Sequence, residues 1–543
     1  MVGVEGDFLQ DIHGHLVVDH DLYNHEGLTE DGIAEAFIEF AKKENLSFFE
    51  PSPSVTPFEA VKYQQLMDGL EAAEVRLHEM MQAYRLDAEF AAHSETRWLE
   101  RLQQKRSFLP LSHFLKYISS GHTPYKHDVH KGDIKFITVE CVGSLSLDET
   151  KLKRIKQEHY DEEFQKNRIV KGAVVCTIKR RIGKAYPFLD EPIEPMAMNQ
   201  DVAILILKAN VRPGYLATYL SSRIGQSFCD RQKTEQMNPY ISVANLSTLP
   251  TIVLNDNLQL IVEKIVKQAY SFLSDSKEFY QQAEDLLLSE LGLKDWQPTE
   301  ETFAVKSFAE SFLSSGRFDA EYYQPKYDES INFIYSYRQG WENIRFACSL
   351  KDVNFIPKKE VTYQYIELSD IGNSGDIIDC SVQLGAELPS RARRKVNKGD
   401  VIISSIEGSL RKCALVTQAY SNSLCSTGFY VINSQKINAE TLLVLFKSEL
   451  VQNILKVNCS GTILTSISKD DFLNIPIPLI DKTVQLIIQK RILDSFDKRE
   501  QSKQLLEIAK TGVERATETD EATATTWINQ QLKDLNIDPA TTV

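Results

Sequence analysis

What this 543-residue chain lacks already narrows what it can be. Its eight cysteines, at 141, 176, 229, 348, 380, 413, 425 and 459, form no CxxC pair. That argues against a zinc ribbon or a thioredoxin-like site and fits a reduced, cytoplasmic compartment. Apolar runs such as 202–207 are far too short to cross a bilayer, so no membrane association is expected. Positive charge is missing at the start, where Glu5, Asp7 and Asp11 occupy the place of a secretory signal's cations, and export is not expected. There is no Gly-x-x-x-x-Gly-Lys-Ser/Thr phosphate loop, and no glycine-rich cofactor loop paired with an Asn/Asp-Pro-Pro-Tyr/Phe element. Asn238-Pro239-Tyr240 lacks the second proline, and no nuclease cluster is found. Cys229 and Cys459 have no histidine arrangement that would make them nucleophiles, which favours buried, inert thiols. The chain reads as non-catalytic.

What is present is a duplication. Arg85-Leu86-Asp87-Ala88-Glu89-Phe90 returns as Arg317-Phe318-Asp319-Ala320-Glu321-Tyr322, 232 residues later. Lys171-Gly172 with Val174 and Val175 returns 227 residues on as Lys398-Gly399 with Val401, Ile402 and Ile403. The 246–250 stretch, ending at Pro250, returns as 472–476, ending at Pro476, 226 residues later. A steady offset near 230 is far longer than a solenoid repeat and means two similar domains on one chain. Such a pair can hold two similar ligands at a fixed separation.

Net charge is −15, which argues at first against a polyanion, but the charge is unevenly spread. Residues 105–255 hold 22 Lys+Arg against 15 Asp+Glu, whereas residues 1–104 hold 7 against 21. Residues 340–480 are nearly neutral, 15 against 14, so the second unit should bind a polyanion more weakly than the first. Nucleic-acid binding needs local positive potential, not a basic whole chain. Charge alone leaves two readings open, a polyanion surface or an unevenly charged surface without such a partner.

Periodicity sets out the organisation. Residues 1–50 form an appendage with an amphipathic helix over 32–45. Residues 51–104 form a helical lead-in, opened by the linker-like 51–57 and continued by a charged helical stretch from Phe58 to about Tyr84. Residues 105–255 alternate β-like runs (134–142, 173–178, 202–207) with short helices (215–223, 225–232) and form a mixed α/β domain. Residues 256–296 form a central long helix, with Leu258, Ile261, Ile265, Ala269, Phe272 and Leu273 at spacings of three and four. A helix of about 33 residues runs roughly 50 Å and calls for a second long helix beside it. After the linker 297–339, residues 340–480 repeat the mixed domain, with strands over 363–368, 401–405 and 429–432. Residues 481–516 repeat the long helix through Ile487, Ile488, Ile492, Leu493 and Phe496, and 517–543 read as a loosely ordered tail. The fold class is α+β: two similar mixed α/β domains separated by a pair of long antiparallel helices.

Particular fragments carry a resemblance. In the first unit, Ser120-Gly121-His122-Thr123-Pro124 precedes Gly132-Asp133-Ile134-Lys135-Phe136-Ile137. Ile182-Gly183-Lys184, Met198-Asn199-Gln200 and Asn238-Pro239-Tyr240-Ile241-Ser242 follow in order. In the second unit, Tyr365-Ile366-Glu367-Leu368-Ser369-Asp370-Ile371, Lys398-Gly399-Asp400-Val401, Ser426-Thr427-Gly428-Phe429 and Ile475-Pro476-Ile477-Pro478 complete the set. This ordered set, occurring twice with a long helix after each, resembles the specificity (S) subunit of type I restriction-modification systems over roughly residues 75–515. Asp19-His20-Asp21-Leu22, the 32–45 helix and Leu46-Ser47-Phe48-Phe49 look similar to the C-terminal tail of the partner methylation (M) subunit.

The resemblance implies that each unit is a target recognition domain reading one half of a bipartite site in double-stranded DNA. It implies that the helices set the gap and dock two methylation subunits, with restriction (R) subunits outside. S-adenosylmethionine, ATP and Mg are then expected in those partners and no cofactor in this chain.

Base edges and phosphates call for Arg, Lys, Asn, Gln, Ser and Thr. In the first unit the candidates are Lys179, Arg180, Arg181 and Lys184 directly after a strand, Arg231, Lys233, Gln236 and Asn238 on a polar loop, and His122, Thr123, Tyr125 and Lys126. In the second, Ser405, Ser409, Arg411 and Lys412 occupy the position of the Lys179 loop, and Lys184 and Lys412 correspond. Arg391, Arg393, Arg394 and Lys395 make a basic run, and Ser460, Thr462 and Thr465 a polar loop. For each group the alternative is a solvated surface, and for His122 a turn residue. His13, His15, Asp19, His20 and Asp21 could hold zinc, but their spacing is two residues too long for the H-x-H-x-D-H hydrolase pattern and no further ligand follows. Two other function classes stay open, a protein-interaction scaffold and a self-sufficient methyltransferase, the second opposed by its missing motifs.

Overall fold

The computed structural model describes residues 40–44, 93–124, 132–165, 167–234, 237–460 and 465–538. These fall into two units, 1–82 and 83–543. In the first only a helical turn at 40–44 is described, so the readings placed on 1–39 and 45–92, including Arg85–Phe90 of the repeat and the His13–Asp21 cluster, lie outside the described residues. Everything below concerns the second unit.

Two lobes of one plan make up most of it. In the first, strand Val202–Leu207 is hydrogen-bonded on one side to Leu115–Ser120 and on the other to Ala173–Thr177, with Ala185–Pro187 at the edge. In the second, Phe429–Asn433 lies between Ser349–Leu350 and Val401–Ser404, with Cys413–Leu415 at the edge. All these pairings are antiparallel and the central strands are almost wholly buried, which is why they read as continuous apolar runs. A second small sheet joins Ile134–Ile137 to Met196–Met198 in parallel, and its counterpart joins Thr362–Ile366 to Leu424–Ser426. The duplicated turn glycines Gly172 and Gly399 share φ +84°, a left-handed backbone that glycine adopts without a Cβ clash.

The expected single strand over 134–142 is broken. It stops at Ile137, and Val139–Cys141 forms one 3-10 turn, because Thr138 and Cys141 cap one another's backbone.

The central helix runs Asp256–Glu290, capped by Asn255, and the distal helix Lys482–Glu518, capped by Asp481. At 1.5 Å per residue each is about 50 Å long or slightly more. They pack side by side and antiparallel. Ser495 Oγ donates to the carbonyl of Ser276 (2.7 Å) and Ser502 Oγ to that of Ala269 (2.7 Å), so seven residues back on one helix is seven forward on the other. Buried residues follow that seven-residue spacing on both: Val262, Ala269, Ser276 and Ala283 against Ile488, Ser495, Ser502 and Ala509. Mostly small side chains let the backbones approach closely. The 226-residue offset maps Ala269 onto Ser495 and Ser276 onto Ser502, exchanging the two bonded pairs. A pseudo-twofold axis therefore passes between them.

Each lobe stands at one end of this pair. The first shares a core with Leu258, Ile261 and Ile265 of the central helix and Leu505 and Val513 of the distal one. The second shares its core with Ala283 and Leu287 of the central helix and Ile488 and Ile492 of the distal one. Burying each such Leu or Ile is worth about 1.5–3 kcal/mol.

Within the tail, residues 521–534 form a helix, contrary to their composition. Asp520 caps it, and its Ala524, Ile528 and Leu532 are buried. Ile528 lies on Gly512 of the distal helix, where a Cβ would come within 2.6 Å of its Cδ1. Arg515 stacks over Trp527 at 4.7 Å, and Glu521 accepts from the backbone of Asn255 at 2.9 Å.

Candidate nucleic-acid interface

The strand register brings separated sequence to one place. Ser120, Val202 and Thr177 end three neighbouring strands at the same rim of the first sheet. The loops leaving that rim are 121–124, 178–184 and 199–201. A fourth segment is tied on: Arg180 N donates to Pro239 O (2.9 Å) and Ile241 N to Ile178 O (2.9 Å). The candidate groups around His122, Lys179 and Asn238 thus form one surface.

The second lobe repeats these ties. Glu407 N donates to Thr465 O (3.1 Å) and Ile467 N to Ser405 O (2.9 Å), matching the first pair at offsets of 227 and 226. Thr177 N–Lys184 O (2.9 Å) and Ser404 N–Lys412 O (3.1 Å) close equivalent hairpins, as the sequence correspondence of Lys184 and Lys412 predicts. Under each hairpin one glutamine donates twice: Gln226 to Gly183 and Leu220, Gln452 to Leu410 and Phe446. Thr427 N donates to Arg391 O (2.9 Å), bringing Arg391 to this rim beside Ser405 and Thr465.

Individual residues divide into two sets. Four exposed or half-exposed rim cations pair with carboxylates of their own lobe: Lys179 with Asp201 (2.8 Å), Arg180 with Glu140 (3.2 Å), Arg391 with Glu367 (2.8 Å) and Arg411 with Glu449 (2.6 Å). Arg181, Asn238 and Ser460 are exposed. His122 Nε2 meets Glu163 at 2.9 Å, and Thr123 follows it on the rim. Glu140 is held below the usual carboxylate range, first by its own backbone N–H, then by Thr138, with Arg180 adding to it.

Other candidates turn to internal work, which departs from the DNA contacts expected of them. Lys184 Nζ donates to Gln226 Oε1 (2.8 Å), and partial burial lowers its pKa. Lys412 Nζ donates to Ile371 O (2.7 Å). Arg394 is gripped by Asp352, whose other oxygen holds Lys469. Arg393 Nε donates to Ser390 O, and Lys395 lies over the Phe355 ring, so the 391–395 run fans out instead of acting as one phosphate grip. Ser409 bonds Ser404 and the Ile406 carbonyl, and Ser405 bonds Gly428 O. Arg231 approaches Glu100 and Lys233 pairs with Asp230. Tyr125, Lys126, Gln236 and Thr462 lie outside the described residues.

Sequence reasoning did not single out Gln200 and Thr427, exposed polar tips of equivalent turns on the two rims. The Met198-Asn199-Gln200 and Ser426-Thr427-Gly428 fragments were the available signal. Burial pushes the thiols of Cys176 and Cys413 up to about 12 and that of Cys229 well above its ordinary value, consistent with inert sulfur. Among the described residues no group of His, Cys, Asp and Glu could hold a metal ion, and no helix is long and apolar enough to cross a membrane.

The family model of the type I restriction modification DNA specificity domain matches residues 349–510, the second lobe with much of its helix. Residues 349–510 are therefore similar to a DNA specificity domain of type I restriction modification systems. The internal duplication carries the same architecture to the first lobe.

Solved structures are similar at low identity. The S subunit of a type-I restriction-modification system from M. genitalium shares 14% identity over 79% of this chain and 95% of that one, with a TM-score of 0.35. A structure described as explaining complex assembly and conformational transition of the type I R-M system shares 12% over 76% and 98%, with a TM-score of 0.28. The HsdS subunit from Thermoanaerobacter tengcongensis shares 12% over 76% and 97%, with a TM-score of 0.26. At these values the assignment rests on the family model and the duplication. A search of curated protein sequences gives no match.

Proposed function

We propose that this chain reads a bipartite site in double-stranded DNA, one half-site per lobe. Methylation subunits dock on it and supply S-adenosylmethionine chemistry, and ATP- and Mg-dependent restriction subunits join them. The carrying observation is that unlike loops converge on the same rim of the same sheet twice, in lobes footed at opposite ends of one helix pair. Loops that differ in sequence on a common frame suit two different words read at a fixed gap.

The test replaces Lys179, Arg180 and Arg181 together with Ala in the assembled complex. Losing the phosphate contacts of Lys179 and Arg181 at about 0.9 each would flatten the salt slope by about 1.8, roughly a 12-fold difference between about 50 and 200 mM salt. Weakening at all sequences supports phosphate gripping, and lost discrimination in one half-site supports base contact. Unchanged affinity in a gel-shift titration would remove this loop from the interface. Methylome sequencing of a host carrying the complex should show a modified motif of two short words around an unspecified gap.

A further inference from the structure

Three of the four rim ion pairs join an arginine to a glutamate. In two of them, Arg180–Glu140 of the first lobe and Arg391–Glu367 of the second, the acid follows the parallel-paired strand, and duplication does not explain these two. The parallel strand pairing aligns Ile137 with Met198 and Ile366 with Cys425. By that register Glu367 stands where Thr138 stands, and Glu140 where Ser369 does. The arginines also come from different segments, Arg180 from the 178–184 hairpin and Arg391 from just before strand Ala392–Lys395. The same arrangement has thus been built twice from non-equivalent positions on the same rim.

Fold stability does not account for them. Arg180 and Glu140 are 61% and 53% exposed, Arg391 and Glu367 59% and 35%. Surface pairs of this kind contribute about 0–1 kcal/mol. Arg180 moreover adopts φ +58°, a left-handed backbone costing a non-glycine residue about 1–2 kcal/mol. The chain spends stability to present that side chain.

We infer that Glu140 and Glu367 are specificity-determining residues of the two half-site readers: each holds its arginine against sequence-independent capture by phosphate while leaving most of the guanidinium fork free for a base edge. The geometry supports both parts. Arg180 reaches Glu140 through Nη1, and Arg391 reaches Glu367 through Nη2 and also interacts with the Tyr365 hydroxyl, so each guanidinium keeps further N–H donors. A guanidinium carries five N–H donors, and bidentate donation to guanine O6 and N7 needs two of them. A phosphate must compete with a carboxylate already at hydrogen-bond distance, whereas a guanine edge can be met with the carboxylate still in place. The two acids therefore weaken non-specific binding more than specific binding.

This rests on the proposed DNA-reading function, and the experiment separates the two. The assembled complex is titrated with a 40-bp mixed-sequence duplex, with and without the motif found by methylome sequencing, across a salt series. Wild type is compared with Glu140→Gln, Glu367→Gln and the double variant, with thermal melting as a check on folding. Each single variant should bind the motif-free duplex about three- to tenfold more tightly at low salt, with a slope steeper by about 0.9, and motif affinity should change less. Glu140→Gln should relax discrimination in one half-site and Glu367→Gln in the other. Unchanged motif-free affinity and slope, or equal weakening on both duplexes, overturns the inference. A wild-type complex that cannot tell the two duplexes apart overturns the underlying reading instead.

Discussion

The serine seam between the long helices yields a quantitative expectation. Ser276 and Ser495 are fully buried and bond twice, hydroxyl to hydroxyl at 3.1 Å and Ser495 Oγ to Ser276 O at 2.7 Å. Ser276→Ala removes the first bond, about 1 kcal/mol, and Ser495→Ala removes both, about 2 kcal/mol. The double variant has lost only the same two bonds, so it should also cost about 2 kcal/mol, leaving a coupling of about 1 kcal/mol. Urea unfolding of the full-length single and double variants gives that coupling directly. A control, Ser502→Leu, places a branched side chain where Ser502 now bonds Ala269 O, and overpacking should cost about 1–3 kcal/mol. Additivity of the two alanine variants to within about 0.3 kcal/mol would refute the antiparallel register, because residues that do not touch show no coupling.

Other outcomes can be checked separately. Ile528→Ala empties the contact over Gly512, should cost about 2–5 kcal/mol of tail docking, and should expose the 521–534 helix to limited proteolysis. Gly121→Ala puts a Cβ within 2.3 Å of the carbonyls of Asn199 and Met198, so the rim must shift, and motif binding should fall without loss of the helix pair by circular dichroism. Asp352 is held below the usual carboxylate range, chiefly by Lys469 and then by Arg394. The stability it contributes is present above the unfolded pKa of about 3.9 and lost as pH falls through the lower folded value. Asp352→Asn should therefore flatten the acid limb of a stability–pH profile below about pH 4. The thiols of Cys176 and Cys413, raised to about 12, should resist a thiol reagent at neutral pH until denaturant is added.

Much of the architecture was legible because it depends on local periodicity. Strand 202–207 falls where the apolar run places it, and the long helices lie within a few residues of the expected positions at their starts. The distal helix reaches Glu518, its last turns held by small buried residues, Ala509, Gly512 and Ala516, which continue the seam without a strong hydrophobic signal. The tail helix was hidden for a related reason. Its Thr- and Ala-rich sequence looks unstructured until Gly512 supplies a groove for Ile528. The rim was only half readable. Its cations are visible in sequence, but the sheet order that gathers 121, 178, 199 and 239 is not sequential. Nor could spacing show that Lys184, Lys412 and Arg394 turn to internal acceptors, since Gln226, Ile371 and Asp352 lie about 40 residues away in the chain.

The entry to the first lobe lies against the end of the distal helix. Arg106, at the entry to the first lobe, donates through Nη2 to Ala516 O (2.9 Å) and through Nη1 to Thr519 O (3.4 Å) at the exit of the distal helix. The path is closed in space though open in covalent terms. Which half is written first then matters little to folding, and a gene opened between the halves and rejoined here should specify the same object.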